Sequence, residues 1–298
     1  MKNKVAIIGG GPAGIATAIQ LKRYKIEHIL FEQKSLGGLL KNAYKIENYP
    51  GFPQGIPGLE LVELLKTQLE SYNINVMFEQ VKLLEYNEKE KLFLINSSKS
   101  LCHSNIVVIA SGTKPKRLDI VEALPEMLKC KIFYNIHSIL NMQDKRIVII
   151  GAGDIAFDYA LNLSKTNEVI IINRNNQIKA LPILRDRVMK TSKIKYHGDL
   201  IIQEISPGRE KALLTTFLKN GKVTTMEADY IVIAIGQLPH KDFYSDNLVK
   251  IEKKLLSRNS LYLTGDVKNG IYRQVAIAVG DGIEAAMKIY RKIKERLR

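Results

Sequence analysis

The sequence predicts an α/β fold of two Rossmann-like dinucleotide-binding domains, one inserted into the other. Three observations predict it. An apolar run, Val5-Ala6-Ile7-Ile8, enters Gly9-Gly10-Gly11-Pro12-Ala13-Gly14. The same grammar returns where Ile147-Val148-Ile149-Ile150 enters Gly151-Ala152-Gly153-Asp154-Ile155-Ala156. A helical segment from Gln274 to about residue 297 closes the chain and needs a sheet to pack on, which assigns it back to the first domain. The outer domain is then expected over 1–113 and 240–298, and the inserted domain over 114–239. A chain of 298 residues has room for both, and a hydrophobic fraction of 46% excludes a disordered chain.

In order, residues 4–8 read as a strand, 9–11 as a turn, 12–24 as a helix and 28–31 as a second strand ending at Glu32. Residues 58–72 carry Leu61, Leu64, Leu65, Leu69 and Tyr72 at helical spacing. Strands are expected at 76–78, 81–86, 92–95, 100–102 and 106–109, stopping at Ser111-Gly112. The second unit has a strand at 146–150, a helix at 155–164 and a strand at 169–172. Short strands follow near 201–205, 212–218 and 222–226. An apolar strand at 230–235 stops at Gly236, and a last strand at 261–263 precedes Thr264-Gly265-Asp266.

The glycines have separate physical tasks. Gly9 allows the tight turn, Gly11 lets a pyrophosphate approach the backbone, and Gly14 lets helix and strand pack. The helix N-terminus offers unpaired N–H groups and partial positive charge to the anion. Glu32 stands where an acid accepts hydrogen bonds from the ribose hydroxyls. The second fingerprint has Ala156 at its third position, a tolerated variation. The strand after it ends in Asn173-Arg174-Asn175 rather than in an acid. Arg174 is either a partner for a 2′-phosphate or a solvated charge.

Composition narrows the class. Two cysteines, Cys102 and Cys130, form neither a disulfide framework nor a metal knuckle, so no metal site is expected. The net charge of +15 suits an acidic protein partner or simply a lysine-rich surface. The lysines are scattered, with no basic block interleaved with aromatic residues, so nucleic acid is not an expected partner. The N-terminus lacks secretory-signal character, and the apolar runs fall short of the roughly 20 residues that span a bilayer. A cytoplasmic protein away from the membrane is expected.

These motifs, taken in order, resemble the low-molecular-weight thioredoxin reductases of the class II pyridine nucleotide-disulfide oxidoreductase family and their relatives, the thioredoxin reductase-type ferredoxin–NADP reductases. The resemblance runs through Gly9–Gly14, Gly37-Gly38-Leu39-Leu40, Ile46-Glu47-Asn48-Tyr49-Pro50-Gly51-Phe52-Pro53 and Ala110-Ser111-Gly112. It continues through Gly151–Ala156, Ile233-Ala234-Ile235-Gly236, Thr264-Gly265-Asp266-Val267 and Tyr272-Arg273-Gln274-Val275-Ala276. It implies FAD in the outer domain and NADPH or NADH in the NAD(P)-type inserted domain.

For FAD the resemblance points to Gly9, Gly11, Pro12, Ala13, Gly14, Glu32, Gln33, Gly38, Leu39, Asn48, Val81, Ala110, Ser111, Gly112, Gly265, Asp266, Arg273, Gln274, Val275 and Ala276. Asp266 would meet the ribitol or pyrophosphate, and Gln274-Val275-Ala276 the isoalloxazine. For NAD(P) it points to Gly151, Gly153, Asp154, Ile155, Ala156, Asn173, Arg174, Lys179, Ile235 and Gly236. The family is usually dimeric, which implies a homodimer. In thioredoxin reductases the nicotinamide domain rotates, so residues 112–116 and 236–240 are candidate hinges.

Two departures shape the functional expectation. Thioredoxin reductases carry Cys-x-x-Cys just before the second fingerprint, and here those positions are Tyr134 and His137. A thiol pair relays electrons to a disulfide by exchange. Without it, the expected acceptor is not a disulfide, and an acidic ferredoxin- or flavodoxin-type carrier fits. Tyr134 and His137 are either catalytic groups, with His137 a proton donor near neutral pH, or packing and surface residues. The His-Arg-Arg motif of NADPH-using members is reduced to Asn173-Arg174-Asn175 with Lys179 beyond. Against the ferredoxin–NADP reductases, which usually carry extra C-terminal residues, this chain stops at Arg298. Other readings stay open: an FAD protein fed by a reduced carrier or oxygen, and a non-catalytic FAD-binding sensor.

Overall fold

The structure is a computed structural model that describes residues 2–209 and 212–295, with residues 2–4 described by backbone alone. The chain forms two compact units. One contains the residues up to Lys41, Ile46–Lys114, and the chain from Leu238 onward; the other contains Asn42–Lys45 and Pro115–Gln237.

The first unit opens with β1 (Lys2–Ile8), α1 (Pro12–Arg23) and β2 (His28–Phe31). β1 pairs parallel with β2, and its apolar run is buried on both faces, as in a helix-covered parallel sheet. A 3₁₀ turn (Gly38–Asn42), α2 (Gly58–Ser71) and β3 (Val76–Met77) follow. In α2, Leu61 and Leu69 are buried while Leu64 is 48% exposed. Leu64 therefore does not belong to the core-facing stripe, because it falls beyond the arc shared by Leu61, Leu65 and Leu69.

An antiparallel meander, β4 (Val81–Asn87), β5 (Leu92–Ser97) and β6 (Leu101–Ile109), completes the order β3-β2-β1-β6-β5-β4. The separate strands expected at 100–102 and 106–109 are one strand. β1 pairs along β6 from Lys2↔His103 to Ile8↔Ile109 and holds it continuous, while the partner on its other side changes.

β7 (Thr113–Pro115) leads to the short helices α3 (Asp119–Glu122) and α4 (Glu126–Lys129). The second unit then runs β8 (Ile132–Phe133), β9 (Arg146–Ile150), α5 (Asp154–Leu163), β10 (Glu168–Ile172), α6 (Pro182–Lys190) and β11 (Ile194–His197). An antiparallel sheet of β12 (Ile201–Pro207), β13 (Leu213–Lys219) and β14 (Lys222–Ala228) precedes β15 (Tyr230–Ile233). The parallel sheet has the order β11-β10-β9-β15-β8. β15 ends at Ile233 rather than 235 because its register with β9 runs out at Ile150, where the chain turns at Gly151. Sequence periodicity did not reveal α6, which buries Val188 and packs Leu184 partly against the core.

β16 (Gln237–Pro239) pairs with β7. α7 (Asp246–Ser257), β17 (Leu261–Leu263) and α8 (Val275–Glu295) complete the first unit. Residues 296 and 297 of the expected closing helix lie outside the described residues. α8 packs most extensively on α1, where a Cβ at Gly282 would meet the Ala13 carbonyl oxygen at 2.3 Å. One face of the sheet buries Val5, Ile7, Val108, Ala278 and Ile289; the other buries Ala6, Ile8, Phe93, Ile109 and Leu248. This is the period-two alternation of a strand core. Among the described residues, no helix is long and apolar enough to cross a membrane.

Candidate functional site

Each unit carries a glycine cradle between a strand and a helix. In the first, Gly9 has φ +111° and its N–H donates to Phe31 O at 2.8 Å. A Cβ there would meet Ala110 O at 2.3 Å, and one at Gly14 would meet Gly9 O at 1.9 Å. These two glycines are required by close backbone approach. Gly11 differs: nothing lies within 4 Å of where its Cβ would be. The N-terminus of α1, which follows Gly11, has no side-chain cap and no acid in its first turn. Its first N–H groups lack partners within the helix. An open space before uncapped amides is the arrangement that fits a pyrophosphate.

The structure brings other predicted residues to this turn. A Cβ at Gly38 would meet the Cα of Gly11 at 3.3 Å, and Gly37 N–H donates to Gly10 O. Gly265, at φ +71°, sits against Ala13, whose Cβ a Gly265 Cβ would meet at 2.9 Å. Ala110 N–H donates to Ile8 O; Ser111 Oγ donates to His240 O at 2.6 Å, and Gly112 O accepts from His240 N. Glu32 accepts from Gly10 N through Oε2 and from Lys34 N through Oε1, each at 2.9 Å. Its carboxylate thus braces the turn. Asn48 Nδ2 donates to Gln274 Oε1 at 2.8 Å, next to the start of α8. Val81 is 8% exposed, with its side chain in the sheet core. Leu39 and Gln33 are exposed.

Asp266 is largely buried, and burial pushes its carboxyl up, with Asp281 reinforcing and Arg273 opposing. Sequence reasoning missed Asp281. It accepts from Gly265 N at 3.0 Å, from Lys268 Nζ at 2.7 Å and from Asn269 Nδ2. Burial raises its pKa, but the Lys268 and Asn269 bonds and the Gly265 N–H outweigh that and hold it below the usual carboxylate range. Lys41 was missed too. Its Nζ donates to Ser35 O and Oγ; burial lowers its pKa, and Glu32 partly restores it.

The second cradle repeats the geometry. Gly151 has φ +134°, its N–H donates to Ile172 O at 2.9 Å, and a Cβ there would meet Ala234 O at 2.2 Å. Gly153 is open, with nothing within 4 Å of its Cβ position. Ala156 is fully buried in the helix–sheet contact. Asp154 begins α5 and accepts from Leu181 N at 2.7 Å. Ile155 is half-buried beside it. Gly236, at φ +118°, lies near the Lys116 side chain, and Ile235 is half-buried before it.

At the end of β10, Asn173 is buried and donates to Gln177 O and Tyr196 Oη, each at 3.0 Å. Asn175 Oδ1 accepts from Gln177 N, and Asn176 Nδ2 donates to Asp199 Oδ2. These asparagines shape the loop and leave Arg174 and Lys179 exposed as its cations. Lys179 N–H donates to Ala152 O, joining the loop to the fingerprint.

Tyr134 and His137 are not brought into contact with each other. The Tyr134 ring lies under the Arg117 guanidinium at 4.6 Å, its hydroxyl buried without a hydrogen-bond partner. His137 is exposed, and its backbone N–H donates to Asn42 Oδ1. Cys102 is buried in the first unit, and Cys130 is exposed in the second. Among the described residues, no cluster of side chains could hold a metal ion.

The model of the family described as "Pyridine nucleotide-disulphide oxidoreductase" matches residues 3–282. The chain is 28% identical to the thioredoxin reductase of Chlamydia trachomatis, covering 97% of each. It is 26% identical to the 34.2 kDa protein in rubredoxin operon of Clostridium pasteurianum, covering 95% of this chain and 94% of that protein. Among solved structures, the thioredoxin reductase of Lactococcus lactis superposes with a TM-score of 0.85 at 26% identity, covering 98% of this chain and 99% of that one.

Proposed function

Because this chain belongs to the pyridine nucleotide-disulphide oxidoreductase family, we propose that it is an FAD-dependent NAD(P)H oxidoreductase that serves an acceptor other than a disulfide. It is an oxidoreductase of the thioredoxin reductase type. That family uses FAD and NADPH, and the two cradles, open at Gly11 and Gly153, fit the pair. One observation carries the choice of acceptor: both cradles are intact while the cysteines number two, one buried in the first unit and one exposed in the second. Thiol–disulfide exchange needs an attacking thiolate and a resolving partner within reach.

Bound FAD would accept hydride from the nicotinamide and pass the electrons on. The chain's own residues bind and orient. The α1 amides behind Gly11 receive the FAD pyrophosphate, Glu32 the adenosine ribose, and Asp266 the ribitol. Asn48 and Gln274, joined by their hydrogen bond, fix the start of α8 at the flavin. The α5 amides behind Gly153 receive the nicotinamide dinucleotide, and Arg174 and Lys179 meet a 2′-phosphate. His137, with its side chain exposed, is the proton donor at the missing-dithiol positions.

The acceptor we favour is a small acidic redox protein of ferredoxin or flavodoxin type. The net charge of +15 supports it, as does the relative encoded in a rubredoxin operon. We further propose that the protein works in the cytoplasm as a homodimer.

Anaerobic stopped-flow mixing with NADH and with NADPH tests the reading, followed through loss of the oxidised-flavin absorbance. Rapid bleaching is expected with at least one of them. Reoxidation should follow with a ferredoxin or flavodoxin and not with oxidised thioredoxin. Failure of both nucleotides to bleach the flavin would remove the reductase reading.

A further inference from the structure

The loop between β17 and α8 is tied back to α8 by one side chain. Asp281 stands in the second turn of that helix, and its carboxylate is 11% exposed. Its Oδ2 accepts from Gly265 N–H at 3.0 Å and from Asn269 Nδ2, and its Oδ1 accepts from Lys268 Nζ at 2.7 Å. Between Gly265 and Lys268 lie only Asp266 and Val267. Val267 is 3% exposed and packs in the core with Ile8, Phe93 and Ile109. Asp266 is therefore held from both sides, before it by a bond to α8 and after it by burial in the core.

Gly265 is buried, and its carbonyl accepts from Lys268 N–H at 2.9 Å to close the turn Gly265–Val267. Its own N–H is the group that Asp281 satisfies. A buried N–H left without an acceptor bears the desolvation cost of the group, so the turn would shift to find water or another partner. It has no room to shift toward α1, because a Cβ at Gly265 would already meet the Ala13 Cβ at 2.9 Å.

We infer that Asp281 is a positioning residue of the FAD site, clamping the turn that carries Asp266 and so setting where the Asp266 carboxylate stands. This rests on the reading of the first cradle as the FAD site, with Asp266 at the ribitol. Asp281 acts through Gly265 and Asp266 and not by touching the cofactor. Hydrogen bonds weaken steeply with misalignment, so a displaced turn loses the ribitol contact while the fold persists.

The clamp is distinct from the ion pair beside it. The Lys268 side chain is 43% exposed, so water answers its charge when the pair is broken. The buried Gly265 N–H has no such recourse. An asparagine at 281 would keep one carbonyl oxygen, placed where Oδ2 now serves Gly265 and Asn269. It would lack only the acceptor for Lys268.

Release of FAD on dilution of the full-length holoprotein tests this, followed by the rise in flavin fluorescence and needing no turnover. Asp281→Ala should raise the Kd for FAD about tenfold, the effect of one buried N–H losing its acceptor. Asp281→Asn, which keeps that acceptor, should stay within about threefold of the wild type. Asp266→Ala should weaken FAD by about tenfold or more. The double variant Asp266→Ala/Asp281→Ala should be within about twofold of Asp266→Ala, because a residue that acts through Asp266 has nothing left to place. A general loosening of the fold would instead multiply with the loss of Asp266 to about a hundredfold, and that result overturns the inference. So does an Asp281→Ala protein with the wild-type Kd. A loss of about tenfold in Asp281→Asn overturns it too, and that arm stands even where Asp281→Ala does not fold. A wild-type protein that takes up no FAD would remove the FAD reading itself, and this inference with it.

Discussion

A methyl group added at Gly11 would point into open space, whereas one added at Gly14 would overlap the Gly9 carbonyl oxygen. The two substitutions should therefore fail in different ways. Gly14→Ala is expected to lower stability by about 3 kcal/mol, because backbone must move to admit the Cβ. Gly11→Val is expected to purify without flavin and to unfold at the temperature of the flavin-free wild type, since its side chain fills the space before the α1 amides without meeting other atoms. Thermal unfolding and the visible spectrum check both, and an FAD-replete Gly11→Val protein would contradict the placement. The glycines were legible in the sequence because the strand–turn–helix pattern around them is local, although the carbonyl that Gly9 must clear belongs to Ala110. Asp281 was not. It reads as an ordinary acid on an amphipathic helix, and its value lies in the partners Gly265, Lys268 and Asn269, which only the folded loop delivers. Asn42 was hidden for the same reason, its side chain bonding across roughly a hundred residues of chain.

At the level of elements, strands beside the fingerprints were legible because parallel strands covered on both faces read as unbroken apolar runs. β6 was read as two pieces because His103, Ser104 and Asn105 interrupt its apolar run. Ser104 is nonetheless fully buried, its hydroxyl satisfied by Ile106 O, so a polar residue did not mark a break. α7 carried its signals openly. Ser245 stands before Asp246 as an N-cap, and Leu248 and Leu255 recur at helical spacing. The lysine-rich outer face obscured the stripe. Ser245 Oγ accepts from Leu248 N at 3.2 Å, so Ser245→Ala is expected to cost about 1 kcal/mol, read as a lower urea midpoint with an unchanged slope. An unchanged midpoint would mean that water caps the helix equally well.

For the molecule as a whole, the two-fingerprint architecture was legible, while the choice of electron acceptor rests on what is missing between the fingerprints. The proposed acidic carrier makes a global electrostatic prediction. With a net charge of +15, carrier reduction should slow by about tenfold or more as salt is raised well above physiological levels, while hydride uptake from free nucleotide changes less. Steady-state rates across a salt series check this, and a carrier rate indifferent to salt would count against a charge-steered partner. The packing of α8 on α1 bears also on how the protein is made. Thr17, fully buried on α1, donates its hydroxyl to Ala13 O and Gly282 O, and Tyr24 stacks on Tyr290 with ring centroids 4.3 Å apart. The helix that covers α1 is therefore made long after it, Gly282 following its partner Thr17 by 265 residues. At roughly 5–20 residues per second, the nascent chain carries the uncovered face of α1 for some tens of seconds, while the inserted unit emerges whole and is free to fold first. Synthesis thus closes the first unit only after the unit inserted in it, and α1 is the natural site for a ribosome-associated chaperone to shield.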